Sequence, residues 1–243
     1  MITLGPHALL QGDCMDLLDT LETKVDAVIT DPPYMIEGAS DMGGKINPWC
    51  DLLNGSYFYS LFFRKCSEIL KETGCIYACL NWRSLASYQK AAYDAGLVIR
   101  SLLIWDKAML GPGMLLRPTY ECVALIPMKK FKIRNNSLRD IQRFPWQSVK
   151  PHGHPAEKPE TLMEWLINSC TDAGDLVLDP MMGSGTTGAA AIKTRRRFIG
   201  IEHDPNCFEI AKQRITSGYQ TYGVEWDNDA PKARGLDRWG GGP

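Results

Sequence analysis

The sequence predicts an α/β fold: an open, doubly wound, mostly parallel sheet with helices on both faces. Three observations predict it. The run Val25 to Thr30 is short, apolar and rich in β-branched residues, the pattern of a buried strand. Pro32 and Pro33 then stop it, because neither can donate a ladder hydrogen bond and both fix φ at about −65°. Asp175 to Asp179 is a second such strand, running into the turn Pro180-Met181-Met182-Gly183-Ser184-Gly185-Thr186-Thr187-Gly188 and a helix over Ala189 to Ile192. Arg197 to Ile201 is a third, ending in Glu202. Strands of this kind alternating with helical segments build parallel sheets.

Taken in order, Ile2 to Leu10 reads as an opening strand ended by Gly12-Asp13, with a short helix over Met15 to Leu21 that Asp13 is suited to cap. Residues 36–54 have no period and read as a mobile loop that can close over a ligand. Ser56 to Lys71 has helical spacing, with Tyr57, Leu61, Phe62, Ile69 and Leu70 on its apolar side. Gly74 to Leu80 is a strand in which Cys75 and Cys79 alternate with apolar neighbours, which marks them as core. Ser84 to Asp94 is a helix, and Leu97 to Trp105 with Tyr120 to Pro127 forms an antiparallel hairpin at the sheet edge. Lys158 to Cys170 is a helix entered through Pro159. Residues 218–243 read as a loosely ordered tail, the stretch from Gly223 carrying Gly, Asp and Arg with two Trp and no period.

The 243 residues suffice for the core of one α/β domain, and the net charge of −1 excludes a whole-molecule basic field. Eight scattered cysteines without a CxxC pair fit reduced thiols in a cytoplasm, and metal ligation by them is the minor reading. No apolar stretch approaches the roughly 18 residues of a membrane span, and no signal-like segment opens the sequence.

The chemistry concentrates at strand ends. Asp31-Pro32-Pro33-Tyr34 presents a carboxylate, a rigid carbonyl and a ring at the carboxyl end of a strand, where open sheets bind ligands. A planar, amine-bearing substrate needs that set. Taken alone, the tetrapeptide also suits a turn in which Asp31 accepts backbone N–H groups. In the second motif, Gly183 and Gly185 let the backbone turn tightly and approach a ligand. Glu202 lies 17 residues beyond Gly185, where a carboxylate can accept hydrogen bonds from both hydroxyls of a ribose. The spacing is not the dinucleotide fingerprint, and no Lys follows the last glycine as a P-loop requires.

DPPY (31–34), HPAEKP (154–159), DPMMGSGTTG (179–188) and IGIEHD (199–204) together resemble the S-adenosylmethionine-dependent amino-methyltransferases of DNA. Their order, with DPPY first, resembles the permuted β group of adenine-N6 and cytosine-N4 enzymes. The resemblance is close over about residues 9–35 and 150–217 and loose over 55–127. It implies a Rossmann-like class I methyltransferase sheet of seven strands, with a catalytic half at 1–127, a target-recognition insertion at 128–153 and a cofactor half at 154–217. S-adenosylmethionine would be held by Asp13 at its adenine amine, in place of plain capping, and by Lys158 near its carboxylate. The other ligands implied are Asp179, Pro180, Met181, Gly183, Ser184, Gly185, Thr186, Glu202, His203 and Asp204. Met181 stands where the family usually has Phe, and His154 looks structural.

The resemblance further implies that Asp31, Pro32, Pro33 and Tyr34 methylate the N6 of an adenine flipped out of double-stranded DNA, with no cysteine nucleophile. Alternatives are cytosine-N4 methylation, where Ser more often replaces the Asp, and a non-catalytic DNA- or nucleoside-binding protein. A homodimer and a cognate restriction nuclease stay open. Met128 to His152 carries seven basic residues against Asp140 alone, a local charge of +6 interleaved with Phe131, Phe144 and Trp146. Its position suggests target recognition, with Lys129, Lys130, Lys132, Arg134, Arg139 and Arg143 on phosphates and Asn135, Asn136, Gln142 or Gln147 on base edges. Arg195 to Arg197 reads as a complement to a helix dipole.

Overall fold

The computed structural model describes residues 1–34, 52–111, 115–146 and 157–222. Among the described residues, nine strands form one sheet: β1 (Ile2–Leu4), β2 (His7–Gln11), β3 (Val25–Thr30), β4 (Leu70–Leu80), β5 (Ser101–Asp106), β6 (Tyr120–Pro127), β7 (Ile141–Arg143), β8 (Leu176–Asp179) and β9 (Arg197–Glu202). Their spatial order is β1-β2-β9-β8-β3-β4-β6-β5-β7. From β2 to β4 neighbours are parallel, and β6 runs antiparallel to both β4 and β5.

The seven expected strands are the interior run from β2 to β5, and the two additions cap its edges. The opening segment is not one strand but a hairpin, because Gly5 takes φ +55° and turns β1 back antiparallel onto β2. β7 arises within the expected recognition insertion and pairs in parallel with β5, so the β5–β6 hairpin is one strand in from the edge.

Helices cover both faces. α1 (Cys14–Leu18), α2 (Leu52–Ile69) and α3 (Leu85–Asp94) pack together on one face, and α4 (Glu160–Cys170), α5 (Thr186–Lys193) and α6 (Pro205–Tyr222) on the other. The period of two along each strand divides the core between them. Ile76, Ala78 and Leu80 of β4 join one apolar cluster, while Cys75, Tyr77 and Cys79 join the other. Strands buried on both sides explain the unbroken apolar runs. α2 starts earlier than its apolar spacing indicated, α4 starts at Glu160 after Pro159, and 218–222 belong to α6; most of the expected loop 36–54 and of the tail lies outside the described residues. No helix among the described residues is long and apolar enough to cross a membrane.

A buried ion pair ties α4, α5 and α6 together. Arg214 of α6 donates to Glu157 Oε1 at 2.6 Å, to Thr186 Oγ1 at 2.9 Å and to Glu160 Oε2 at 3.2 Å, so α6 holds the starts of α4 and α5. Arg214→Ala would strip Glu157, 6% exposed, of its guanidinium and is expected to cost about 3–5 kcal/mol. A urea midpoint unchanged from wild type would show that the contact contributes nothing net.

Candidate active site

β3 and β8 lie side by side in parallel, with Ala27 opposite Val177 and Val28 opposite Leu178. Asp31 and Asp179 therefore leave the sheet at the same end, beside a cleft of about 500 Å³. Gly12, Asp13, Pro180, Met181, Gly183, Glu202 and His203 line one part; Asp31, Pro32, Pro33, Tyr34, Phe58 and Lys158 line the other.

In the first part, Glu202 organises the backbone. Its Oε2 accepts the Gly183 N–H at 2.8 Å and its Oε1 accepts the Asp204 N–H at 2.7 Å. The Gly12 N–H donates to the Glu202 carbonyl at 2.9 Å, bringing the turn after β2 against the end of β9. Asp13 caps α1 through the Met15 N–H at 2.7 Å while also lining the cleft. Gly183, at φ +52°, has nothing within 4 Å of where a Cβ would stand. Gly185 makes the tight turn expected of it, at φ +80° at the start of α5, and a Cβ there would meet Ala211 at 3.0 Å. Its smallness lets α6 close on α5 rather than a ligand approach the backbone.

Asp179 is buried and shapes the glycine turn, accepting the Met181 N–H at 3.1 Å and the Thr187 hydroxyl at 2.7 Å. Burial pushes its carboxyl up to about 7. Ser184 and Thr186 lie behind the turn, around a smaller cavity of about 90 Å³ shared with Asp31, Lys158 and Asp179. Asp204 accepts the Asn206 and Cys207 N–H groups at 2.8 and 2.9 Å and so starts α6.

The second part is a chain of charges. Asp31 Oδ2 accepts a hydrogen bond from Lys158 Nζ, while Oδ1 is buried without a hydrogen-bond partner among the described residues. Lys158 Nζ also lies 3.6 Å from Glu121 Oε2 and 5.4 Å from the centre of the Tyr34 ring. The Tyr34 hydroxyl donates to Glu121 Oε2 at 2.8 Å, and Lys107 Nζ donates to Glu121 Oε1 at 3.2 Å. Buried Tyr59 donates its hydroxyl to the Pro33 carbonyl, fixing the tetrapeptide from behind. Burial, with the Asp31 and Glu121 carboxylates adding to it, pushes the Tyr34 phenol well above its ordinary value, so it stays a donor. Burial disfavours the charged forms of Glu121 and Lys158, but each one's oppositely charged neighbours outweigh it: Glu121 is held below the usual carboxylate range and Lys158 is raised.

Lys158 thus sits on Asp31, a contact that the HPAEKP motif did not indicate, and His154 to Ala156 lie outside the described residues. Glu121 and Lys107 were not anticipated either. The signal available was faint: Glu121 is the single acid in the apolar run 120–127.

The basic segment is not gathered at the cleft. β6 runs away from it, and the chain continues along the start of β4, with Lys130 N–H on the Glu72 carbonyl and its ammonium 2.5 Å from the Glu72 carboxylate. Arg134 pairs with Asp172 at 2.8 Å and Asp175 at 3.7 Å, just before β8 begins. Lys129, Lys130, Lys132 and Arg134 therefore lie at the amino-terminal end of the parallel strands, opposite the cleft. Asn136 and Arg139 are exposed on the return, Gln142 Nε2 donates to the Arg139 carbonyl at 3.0 Å, and Arg143 comes back to the cleft's end on Asp106 at 2.8 Å. Gln147 lies outside the described residues. Phe131, Phe144 and Trp146 pack onto the core. Arg196 is buried at the sheet's amino-terminal end, where it donates to Thr171 and also to the Thr194 carbonyl at the end of α5, so it ties loops together as well as meeting the helix C-terminus as expected.

Residues 25–213 match the family described as DNA methylase. The chain is 28% identical over 247 residues to the type II methyltransferase M2.LlaDCHI of Lactococcus lactis subsp. cremoris, covering 89% of this chain and 91% of that one. Against the type II methyltransferase M.HinfI of Haemophilus influenzae it is 26% identical over 249 residues, covering 86% and 68%. The crystal structure of the M1.HpyAVI–SAM complex matches at a TM-score of 0.68 and 26% identity, over 86% of this chain and 98% of that one. The cytosine-N4-specific PvuII DNA methyltransferase matches at 0.69 and 17% identity over 90% and 94%, a likeness of fold alone. The matched span holds the Asp31 strand, the glycine turn and Glu202, and the chain belongs to the DNA methylase family, enzymes that methylate adenine N6 or cytosine N4.

Proposed function

We propose that this protein methylates the N6 of adenine in duplex DNA, using S-adenosylmethionine. The observation that carries the reading is Asp31 Oδ1, a buried acceptor with no partner among the described residues, in the cleft that also holds Glu202 and Gly183. An orphaned acceptor is costly unless a ligand donor meets it. Lys158 occupies Oδ2, which leaves Oδ1 to face an amine.

The donor fits the first part of the cleft. Glu202 offers a carboxylate to ribose hydroxyls, Gly183 leaves its backbone uncovered, and Pro180 and Met181 supply apolar walls. The volume suits a ligand of that size. S-adenosylmethionine supplies an electrophilic methyl on sulfur. A base inside a duplex cannot reach it and has to be flipped out. Its amino lone pair is conjugated into the ring and is a poor nucleophile. Asp31 Oδ1 and the Pro32 carbonyl accept the two amino hydrogens, which turns nitrogen towards sp³ and opposes the positive charge that grows as the N–C bond forms and the S–C bond breaks. Tyr34 provides the ring on which the base stacks. Asp, rather than Ser, at the head of the tetrapeptide supports adenine over cytosine. Mass spectrometry of nucleosides from methylated DNA is expected to give N6-methyladenine; N4-methylcytosine would overturn the base assignment, and no methyl transfer would overturn the enzymatic reading.

The duplex then lies across the carboxyl end of the sheet. Trp82, with Arg83 stacked at 5.1 Å, and Arg143 are among the described side chains at that end. A strand of six residues spans roughly 20 Å, so the same duplex does not also cover the opposite end. The protein acts in a cytoplasm, in the setting of restriction and modification.

Two paired expectations follow for the cleft. Asp31→Ala should lower the methyl-transfer rate by at least about 10² while leaving cofactor affinity within a few-fold. Glu202→Ala should do the reverse first, weakening cofactor binding by about 1–3 kcal/mol. Calorimetry and single-turnover rates that failed to separate the two variants would undo the division of the cleft. For the basic segment, neutralising Lys129, Lys130 and Lys132 together should leave the slope of log K against log salt unchanged. A slope flattened by about 0.9 per lost phosphate contact would return the DNA to that end.

A further inference from the structure

Glu121 is the one acid that β6 brings into the cleft's charge chain, and its two oxygens hold three different partners. β6 is otherwise apolar, and its antiparallel pairing with β4 puts Val123 opposite Cys79 and Cys122 opposite Leu80. The next residue towards the cleft is Glu121, whose side chain is 14% exposed. A carboxylate in such a place is costly unless every partner is in position. Here they are: Tyr34 Oη at 2.8 Å, Lys107 Nζ at 3.2 Å and Lys158 Nζ at 3.6 Å.

Tyr34 follows two prolines, which stiffen the backbone but do not set the ring's own torsions. The hydroxyl bond to Glu121 fixes where the far end of the ring lies. It ties the far end of the ring to β6, an interior strand of the sheet, so the place of the ring on which a base would stack is held before the base arrives. Preorganisation of this kind raises the rate without a contact to the reacting atoms. We propose that Glu121 is a positioning residue for methyl transfer, acting through the Tyr34 hydroxyl to fix the ring against which the target base lies. The inference rests on the stacking role given to Tyr34 above.

A double-mutant cycle tests it, with unmethylated genomic DNA as acceptor, tritiated methyl groups, enzyme in excess and the methyl-transfer rate constant as readout. Tyr34→Phe keeps the ring and removes the hydroxyl; Glu121→Ala removes the acceptor. Each is expected to slow methyl transfer about tenfold, the size of a lost hydrogen bond to a charged group. The double variant is expected to lose about the same tenfold, because the Tyr34–Glu121 bond, broken by both changes, is the one of Glu121's three contacts through which it acts on the rate. Glu121→Gln, which still accepts from the phenol, is expected to recover most of the loss. Cofactor affinity by calorimetry should stay within a few-fold throughout.

Independent losses that multiply to about a hundredfold would overturn the assignment. So would a wild-type rate in Tyr34→Phe, which decides the matter even where Glu121→Ala does not fold. Glu121→Gln as slow as Glu121→Ala, with cofactor binding intact, would also overturn it, since charge beside Lys158 would then be what matters. Tyr34→Ala separates this failure from that of the parent reading. If Tyr34→Ala transfers methyl at the wild-type rate, the stacking role itself is wrong; if it is slow while the cycle is additive, Glu121 alone is misassigned.

Discussion

The parallel pairing of β3 with β8 is the constraint on which the rest depends. These strands are distant in sequence and meet through only two paired positions, yet that register sets where Asp31 and Asp179 leave the sheet. Parallel neighbours require crossovers, and the crossovers place helices on both faces, so the strands can be apolar throughout. Because both chains then exit at one end, the glycine turn and the DPPY turn share one cleft. A slip of the pairing by one residue would turn Ala27 and Ile29 towards the wrong helices and separate the two halves of the site.

Within that frame the electrostatics are local and nearly balanced. Asp31 and Glu121 alternate with Lys158 and Lys107, so the buried cluster carries no large net charge. Burying four ionised groups is expensive, and hydrophobic replacements of similar shape often serve stability as well or better. What the ion pairs supply is orientation. Lys158 chooses which Asp31 oxygen is free, and Glu121 holds both Lys158 and the ring of Tyr34. A cluster assembled from β3, β6, the β5 terminus and the entry to α4 cannot be positioned by any one loop, which is why it rests on the sheet.

Legibility in the sequence followed the physics of each part. The interior strands were plain, since burial on both faces leaves an apolar run of strand length in β3, β8 and β9. The edges were not: β1 and β7 are three residues each, and Gly5 is one glycine among 22. A strand that short is decided by its partner and not by its own composition. The glycine turn was recognisable as a unit, but the separate duties of Gly183 and Gly185 depend on what stands opposite, and α6 supplies that. Glu121 had no motif to announce it, because its partners come from β3, β5 and the α4 entry and meet only after the sheet forms.

The basic segment shows the same limit from the other side. Its charge was legible and its place was not, because composition carries no record of which way β6 runs. With β6 antiparallel to β4, the residues that follow it are delivered to the end of the sheet away from Asp31. There Lys130 meets Glu72 of β4, and Arg134 meets Asp172 and Asp175 before β8, so part of the local +6 is answered by neighbouring acids. On the proposed reading, recognition is left to a small set of groups around the cleft, where flipping a base is opposed by stacking and pairing worth a few kcal/mol. A binding face of that kind works by holding a ring and an acceptor in advance. On the same reading, the arrangement of Tyr34, Asp31 and their buried partners is the part of this structure that does so.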